Sequence, residues 1–257
     1  MRKINYSKVR RSAQADLKRY ERLGVKIFTE ALKEQAKPVV PLMPMQEAYI
    51  KFYQTVFIDS ATKEFNRIRQ DNKEKKFLPD NFFVATWLEF IKNWVIQNLG
   101  QLIFEVTDTT QKRVNEIVSQ GIQEGLNPRQ IEERLLREIP DIKRARAIAR
   151  TESTRAYNEG KMKSAIDWAN QTGSQLWKIW IHGGAKEPRI QHILAQNKPI
   201  RFDQPFVFNS NGVQVLMDKP GDLNGGAAQT INCSCVVIYV SERYARRYFK
   251  DIGSFVS

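Results

Sequence analysis

Hydrophobic positions in this chain follow two rhythms, and the change between them falls near Gly173. Up to there, apolar residues recur every three or four positions, the period of a helix. Beyond it they alternate or cluster in short runs bounded by turn residues. In the first segment Leu17, Tyr20, Leu23, Ile27 and Ala31 form one stripe among Lys and Arg, which predicts a polar helix from Tyr6 to about Lys37. Phe28 and Leu32 widen the stripe only near its end, and Gly24 interrupts it. So narrow a stripe suits a helix that lies against a partner or spans a surface. Pro38, Pro41 and Pro44 then predict a stiff, extended connector.

A second helix, rich in aromatics (Tyr49, Phe52, Tyr53, Phe57, Phe65), is predicted from Met45 to about Arg69, with a charged loop over 70–76. Pro79-Asp80-Asn81 restarts the chain into a third helix, Phe82 to about Phe104, apolar around much of its circumference. Such a helix belongs inside a bundle or at a subunit contact. Thr109 and Thr110 open another helix, with Val114, Ile117, Val118 and Ile122 on one face and Gly125 as its stop. Asn127-Pro128 reads as the start of a short helix carrying Ile131, Leu135 and Leu136. Pro140-Asp141 ends that helix and caps a long one from about Ile142 to Gln171.

After Ser174 the predicted strands are Leu176–Ile181, Pro199–Phe202, Phe206–Phe208 and a buried one over Ser234–Val240. Asn209-Ser210-Asn211-Gly212 is a turn signal that makes Pro205–Leu216 a hairpin. Pro220 to Gly226 is a loop, and Glu242–Lys250 a short basic helix. The fold class is therefore α+β: an N-terminal region of long helices, then a smaller C-terminal α+β domain with a short, mostly antiparallel sheet. The division is placed between 1–105 and 106–257.

Charge adds a partner class to this outline. The chain carries 41 Lys and Arg against 28 Asp and Glu in 257 residues, a formal charge of +13. Such a balance favours polyanions, either nucleic acid or the acidic surface of a protein. Arg10, Arg11, Lys18 and Arg19 in the first helix and Arg246 and Arg247 in the last are the candidate contacts. No run of about 18 apolar residues predicts a membrane span, and the basic N-terminus lacks the apolar core of a secretory signal. A reducing cytoplasm is the expected setting, where a strained C-x-C disulfide is not expected.

Three stretches carry candidate chemistry. Ala149 to Gly160 reads A-R-T-E-S-T-R-A-Y-N-E-G. On a helix Glu152 reaches Arg155 across one turn. The group is either a catalytic cluster or a structural helix whose Arg and Glu satisfy backbone groups. Trp180 to His192 reads W-I-H-G-G-A-K-E-P-R-I-Q-H and holds both histidines, with Arg189 and His192 on one side of a short helix. The third, I-N-C-S-C at 231–235, holds both cysteines. Cys233 and Cys235, with His192 and His182, form a ligand set suited to zinc. A pair of buried thiols on a core strand and a redox pair are the other readings. Zinc is the one cofactor these residues suggest. No G-x-S-x-G, H-E-x-x-H, P-loop or dinucleotide fingerprint is present. A Cys–His hydrolase or a metal-dependent nuclease rests on residue types alone, and a free nucleic-acid-binding protein on charge alone.

In combination these stretches resemble the phage Mu F-type minor head protein family, from about Thr109 to Val240. The elements stand in the family's order: a Thr-Thr-led helix, I-A-R-T-E-S-T-R-A-Y-N-E-G, a Trp-bearing strand, R-I-Q-H, Phe206, a Pro-Gly-Asp loop at Pro220, and I-N-C-S-C before a last strand. Arg150, Glu152, Asn158, Trp180, Arg189, His192, Asn232, Cys233 and Cys235 map onto the motif and are expected to converge. Two positions depart from it. Lys186-Glu187-Pro188-Arg189 keeps only the second arginine of the family's Asp-x-Arg-x-Arg run, and Ser234 stands where Arg is frequent. The resemblance implies a non-enzymatic virion protein, assembled in the host cytoplasm and carried inside the head at the portal vertex. It implies a role in head assembly, DNA packaging or DNA retention and delivery. The portal protein is the implied partner, with the major capsid or scaffold protein and packaged double-stranded DNA as further ones. The N-terminal region would be the attachment segment.

Overall fold

The computed structural model describes residues 3–35, 43–71, 83–126, 128–138, 142–210 and 212–249. Among the described residues four long helices and one short one come first: α1 (Tyr6–Gln35), α2 (Met43–Asp71), α3 (Val84–Gln123), the short α4 (Pro128–Glu138) and α5 (Ile142–Thr172). They are followed by β1 (Leu176–Ile181), α6 (Ile190–Leu194), β2 (Pro199–Arg201), β3 (Phe206–Ser210) and β4 (Val213–Met217). A 3-10 turn at Leu223–Gly225, α7 (Gly226–Thr230), β5 (Val236–Ser241) and α8 (Glu242–Tyr248) complete the order. The fold is α+β. One antiparallel sheet has the order β2-β1-β5, and β3 and β4 form a separate hairpin.

Two predicted helices are one. The segment between Phe104 and Thr109 continues as helix, so α3 runs 40 residues, about 60 Å at 1.5 Å per residue. The expected division at residue 105 falls inside it. Gly125 does end this helix: with φ of 72° it supplies the left-handed position. Leu126 N–H bonds Gly121 O at 2.8 Å and Gly125 N–H bonds Ile122 O at 3.1 Å, the paired closure of a Schellman motif. Of the predicted proline connector, residues 36–42 lie outside the described residues, and Pro44 belongs to the first turn of α2, where its missing N–H costs nothing. The charged loop beyond Asp71, Pro79-Asp80-Asn81, Asn127 and Pro140-Asp141 also lie outside the described residues.

The narrow stripe of α1 finds its partner within the chain. Leu17, Tyr20, Phe28, Ala31 and Leu32 are buried in one core with α2, α5 and the sheet. Gly24 is the reason the helices close up rather than a break. A Cβ there would lie 2.8 Å from Ala149 Cβ and 2.9 Å from Phe52 Cε2. Gly160 does the same between α5 and α2, where a Cβ would come within 2.5 Å of Phe57 O. The aromatic face of α2 fills the space between these crossings, with Phe28 5.0 Å from Tyr49 and 5.3 Å from Phe52 by ring centroid. Tyr53 stacks on Trp94 of α3 at 5.4 Å, and Trp87, Ile91 and Val95 of that helix are buried while Leu88 and Ile96 face out.

Candidate functional site

Strand β1 lies in the middle of its sheet, which leaves β5 with an outer edge. An edge strand presents unpaired N–H and C=O groups at alternate residues, and α5 and α2 cover them with side chains. Asn158 donates to Cys235 O at 3.1 Å and accepts from Val237 N at 2.9 Å. Two positions on, Glu64 accepts from Tyr239 N at 3.2 Å and Arg67 donates to Tyr239 O. Upstream of the strand, Thr154 Oγ1 donates to Cys233 O at 2.6 Å and Thr151 Oγ1 accepts from Asn232 N at 3.1 Å. Thr151, Thr154 and Asn158, at spacings of three and four, thus form a polar ladder on α5 that fixes residues 232–237.

The neighbouring face of α5 holds the Pro-Gly-Asp loop. Arg155 Nε donates to Gly221 O at 3.0 Å, and Lys219 pairs with Glu159 at 2.8 Å. Gly221, with φ of 81°, sits so close that a Cβ would lie 2.8 Å from Arg155 Cα. Glu152 accepts from Arg155 at 2.7 and 2.9 Å and from the Tyr53 hydroxyl. The helix motif is therefore a frame: its Arg155, Glu152, Thr and Asn side chains are turned into the protein, where most of them hold backbone. Arg150 is the outward member, pairing with Glu21 of α1 at 3.1 Å beside a cleft lined by Lys18, Gly183, Lys186 and Asn232.

What the frame positions is a compact trio. His192, on α6, is 2 % exposed, and Cys233 and Cys235 are each 3 %. Both sulfurs face His192 Nδ1, Cys233 at 3.7 Å and Cys235 at 3.6 Å. The other ring nitrogen, Nε2, is 3.0 Å from Gln229 Oε1. A carboxamide oxygen only accepts, so Nε2 carries the proton and Nδ1 presents a lone pair to the thiols. The sequence suggested that the cysteines lie on the strand, but the strand begins after them, at Val236. They precede it in an irregular turn entered through Asn232, whose φ is 56°. Arg189 braces that turn from the other side, donating to Ala228 O at 2.6 Å and Ile231 O at 2.8 Å. Trp180 closes the trio, packing edge-on against His192 at 4.9 Å and against Phe206 and Phe208 at 5.1 Å.

The electrostatics follow from this crowding. The Cys235 thiol donates to Cys233, which pulls the Cys233 thiol well below its usual range and raises Cys235. His182 is outside the trio. Its Nδ1 accepts from Gly184 N at 3.1 Å, and burial lowers its basicity, reinforced by Arg10. Of the basic residues singled out by sequence, Arg11, Lys18, Arg19, Arg246 and Arg247 are exposed. Arg19 is engaged with Asp59 and Arg246 with Glu242, and Arg10 reaches Gln196 at 3.5 Å. Sequence reasoning missed Gln229, Gly183 and the Glu64–Arg67 pair. Only the last left a signal: Glu64 stands between Ala61, Phe65 and Ile68 on a buried helical face.

Among the described residues no helix is long and apolar enough to cross a membrane. No curated protein and no solved structure matches the chain. The family described as Phage Mu protein F like protein matches residues 112–238, about half the chain, and spans α5, the trio and the first half of β5. Through this region the chain belongs to the Phage Mu F-like family of phage head morphogenesis proteins.

Proposed function

We propose that this protein is a minor head component of a tailed phage, held at the portal vertex inside the head, where it assists head assembly, DNA packaging or DNA retention and delivery. The family match over 112–238 carries the reading. The site agrees with a structural part rather than a catalyst. Most of the inward-facing motif side chains hold backbone, and a Cys–His pair only 2–3 % exposed gives a substrate no access. The +13 charge, with Arg11, Lys18 and Arg247 exposed on α1 and α8, suits contact with packaged double-stranded DNA or an acidic face of the portal, capsid or scaffold protein. The experiment is mass spectrometry of purified virions from the source phage, with co-purification of the chain on the portal protein. The protein is expected in full virions in few copies and bound to the portal. Its absence from virions, or equal recovery with and without portal, would overturn the proposal.

A further inference from the structure

We propose that His192, Cys233 and Cys235 bind one zinc ion as a structural metal site. Zinc bonds thiolate sulfur at about 2.3 Å and imidazole nitrogen at about 2.0–2.1 Å. At a tetrahedral angle those bonds set sulfur and nitrogen about 3.6 Å apart. The two sulfurs stand 3.7 and 3.6 Å from Nδ1, and the three donor atoms all lie within 4.8 Å of one another.

The donor chemistry points the same way. A neutral imidazole offers one lone pair, and both sulfurs converge on it. An ion between the three groups uses that lone pair and both sulfurs. N–H donors already face the sulfurs: Cys235 N is 3.5 Å from Cys233 Sγ, and the Gly183 amide approaches Cys235. The indole N–H of Trp180, beside the same sulfur, is buried with no hydrogen-bond partner among the described residues. Gly183 is required for that approach, because a Cβ would meet Ser234 Oγ at 2.2 Å. Gln229 fixes the ring as an outer partner, the role a carboxylate or carbonyl plays behind most metal-bound histidines. Two sulfurs and one nitrogen favour zinc over hard cations. The fourth corner falls to water.

With the trio buried, the ion would enter as the domain folds and stay as a clasp between α6 and the entry to β5. The test uses the full, untagged chain, purified under reducing conditions without chelator. Elemental mass spectrometry is expected to give about one zinc per chain, and excess chelator to lower the melting temperature. Replacement by cobalt is expected to give tetrahedral d–d bands and a thiolate charge-transfer band. Gln229→Ala, which removes no ligand atom, is expected to weaken zinc affinity about 10–100-fold. Cys235→Ser is expected to lose the metal. Protein from zinc-supplemented cells that holds no zinc and shows no cobalt bands would overturn the site. So would zinc retained undiminished by both variants, the mark of adventitious surface binding.

Discussion

The side chain of Asn158 pairs with the backbone around Val237 as a neighbouring strand would. Its oxygen takes the Val237 amide at 2.9 Å, and its nitrogen reaches the Cys235 carbonyl at 3.1 Å and the Thr154 carbonyl at 2.8 Å. One fully buried carboxamide thus closes a sheet edge against a helix. Donor and acceptor ends are both used, so the isosteric acid cannot replace it.

Asn158→Ala is expected to cost roughly 2–4 kcal/mol, because two buried edge groups lose their partners at about 1–3 kcal/mol each. Asn158→Asp keeps the Val237 bond but sets a carboxylate oxygen against Cys235 O, and is expected to be no milder. Urea denaturation of both variants is the measurement. A loss under about 1 kcal/mol would show that the edge recruits other partners.

Glu64 makes the pH dependence specific. Burial alone would raise its carboxyl, but Arg67 and Lys161 outweigh burial and hold it down at about 2. A carboxyl depressed in the folded state adds stability above its unfolded value, about 4.3. That stability is lost as pH falls through about 2. Wild-type stability should therefore decline between about pH 5 and 2 more steeply than that of Glu64→Gln. At pH 7 the variant leaves Lys161 buried beside Arg67, and a loss of about 3 kcal/mol is expected. Parallel acid profiles would show that Glu64 does not govern the acid limb.

Gly160→Ala sets two effects against each other. In an isolated helix alanine gains about 1 kcal/mol over glycine. Here the added Cβ would lie 2.5 Å from Phe57 O and 3.1 Å from Ala61 N, backbone atoms that cannot swing aside. Packing wins, and a net loss of about 1–3 kcal/mol is expected. A stabilised variant by thermal melt would mean that α2 and α5 separate freely.

The exposed cations predict a change in binding without a change in stability. Reversing Arg11, Lys18 and Arg247 to Glu should move unfolding free energy by no more than about 0.5 kcal/mol each. If these residues meet DNA as proposed, affinity of the full chain for double-stranded DNA falls. The slope of log K against log salt then becomes shallower by about 0.9 for each phosphate that is no longer neutralised. Unchanged binding in a salt titration would take these three residues out of the interface.

Elements with local signals could be read from the chain alone. A six-residue run, apolar but for Lys178, defined Leu176–Ile181 to the residue, and the spacing of Glu152 and Arg155 defined their pair. Gly125 and the Asn-rich hairpin were legible because turns need particular backbone angles that few residues adopt. The resemblance of the A-R-T-E helix and the N-C-S-C segment was legible because each is a short contiguous string. Packing in three dimensions settled the rest: that α3 continues through residue 105, that α1 lies on α5, and that Gly24 marks a crossing rather than a break. It also brought His192 to two cysteines more than 40 residues away. Periodicity records which face of an element is apolar, but not which other face it meets. That choice is made by side-chain volume where helices cross, at Gly24 against Ala149 and Gly160 against Phe57. The trio, the polar ladder and the capped edge of β5 all follow from where those crossings place α5.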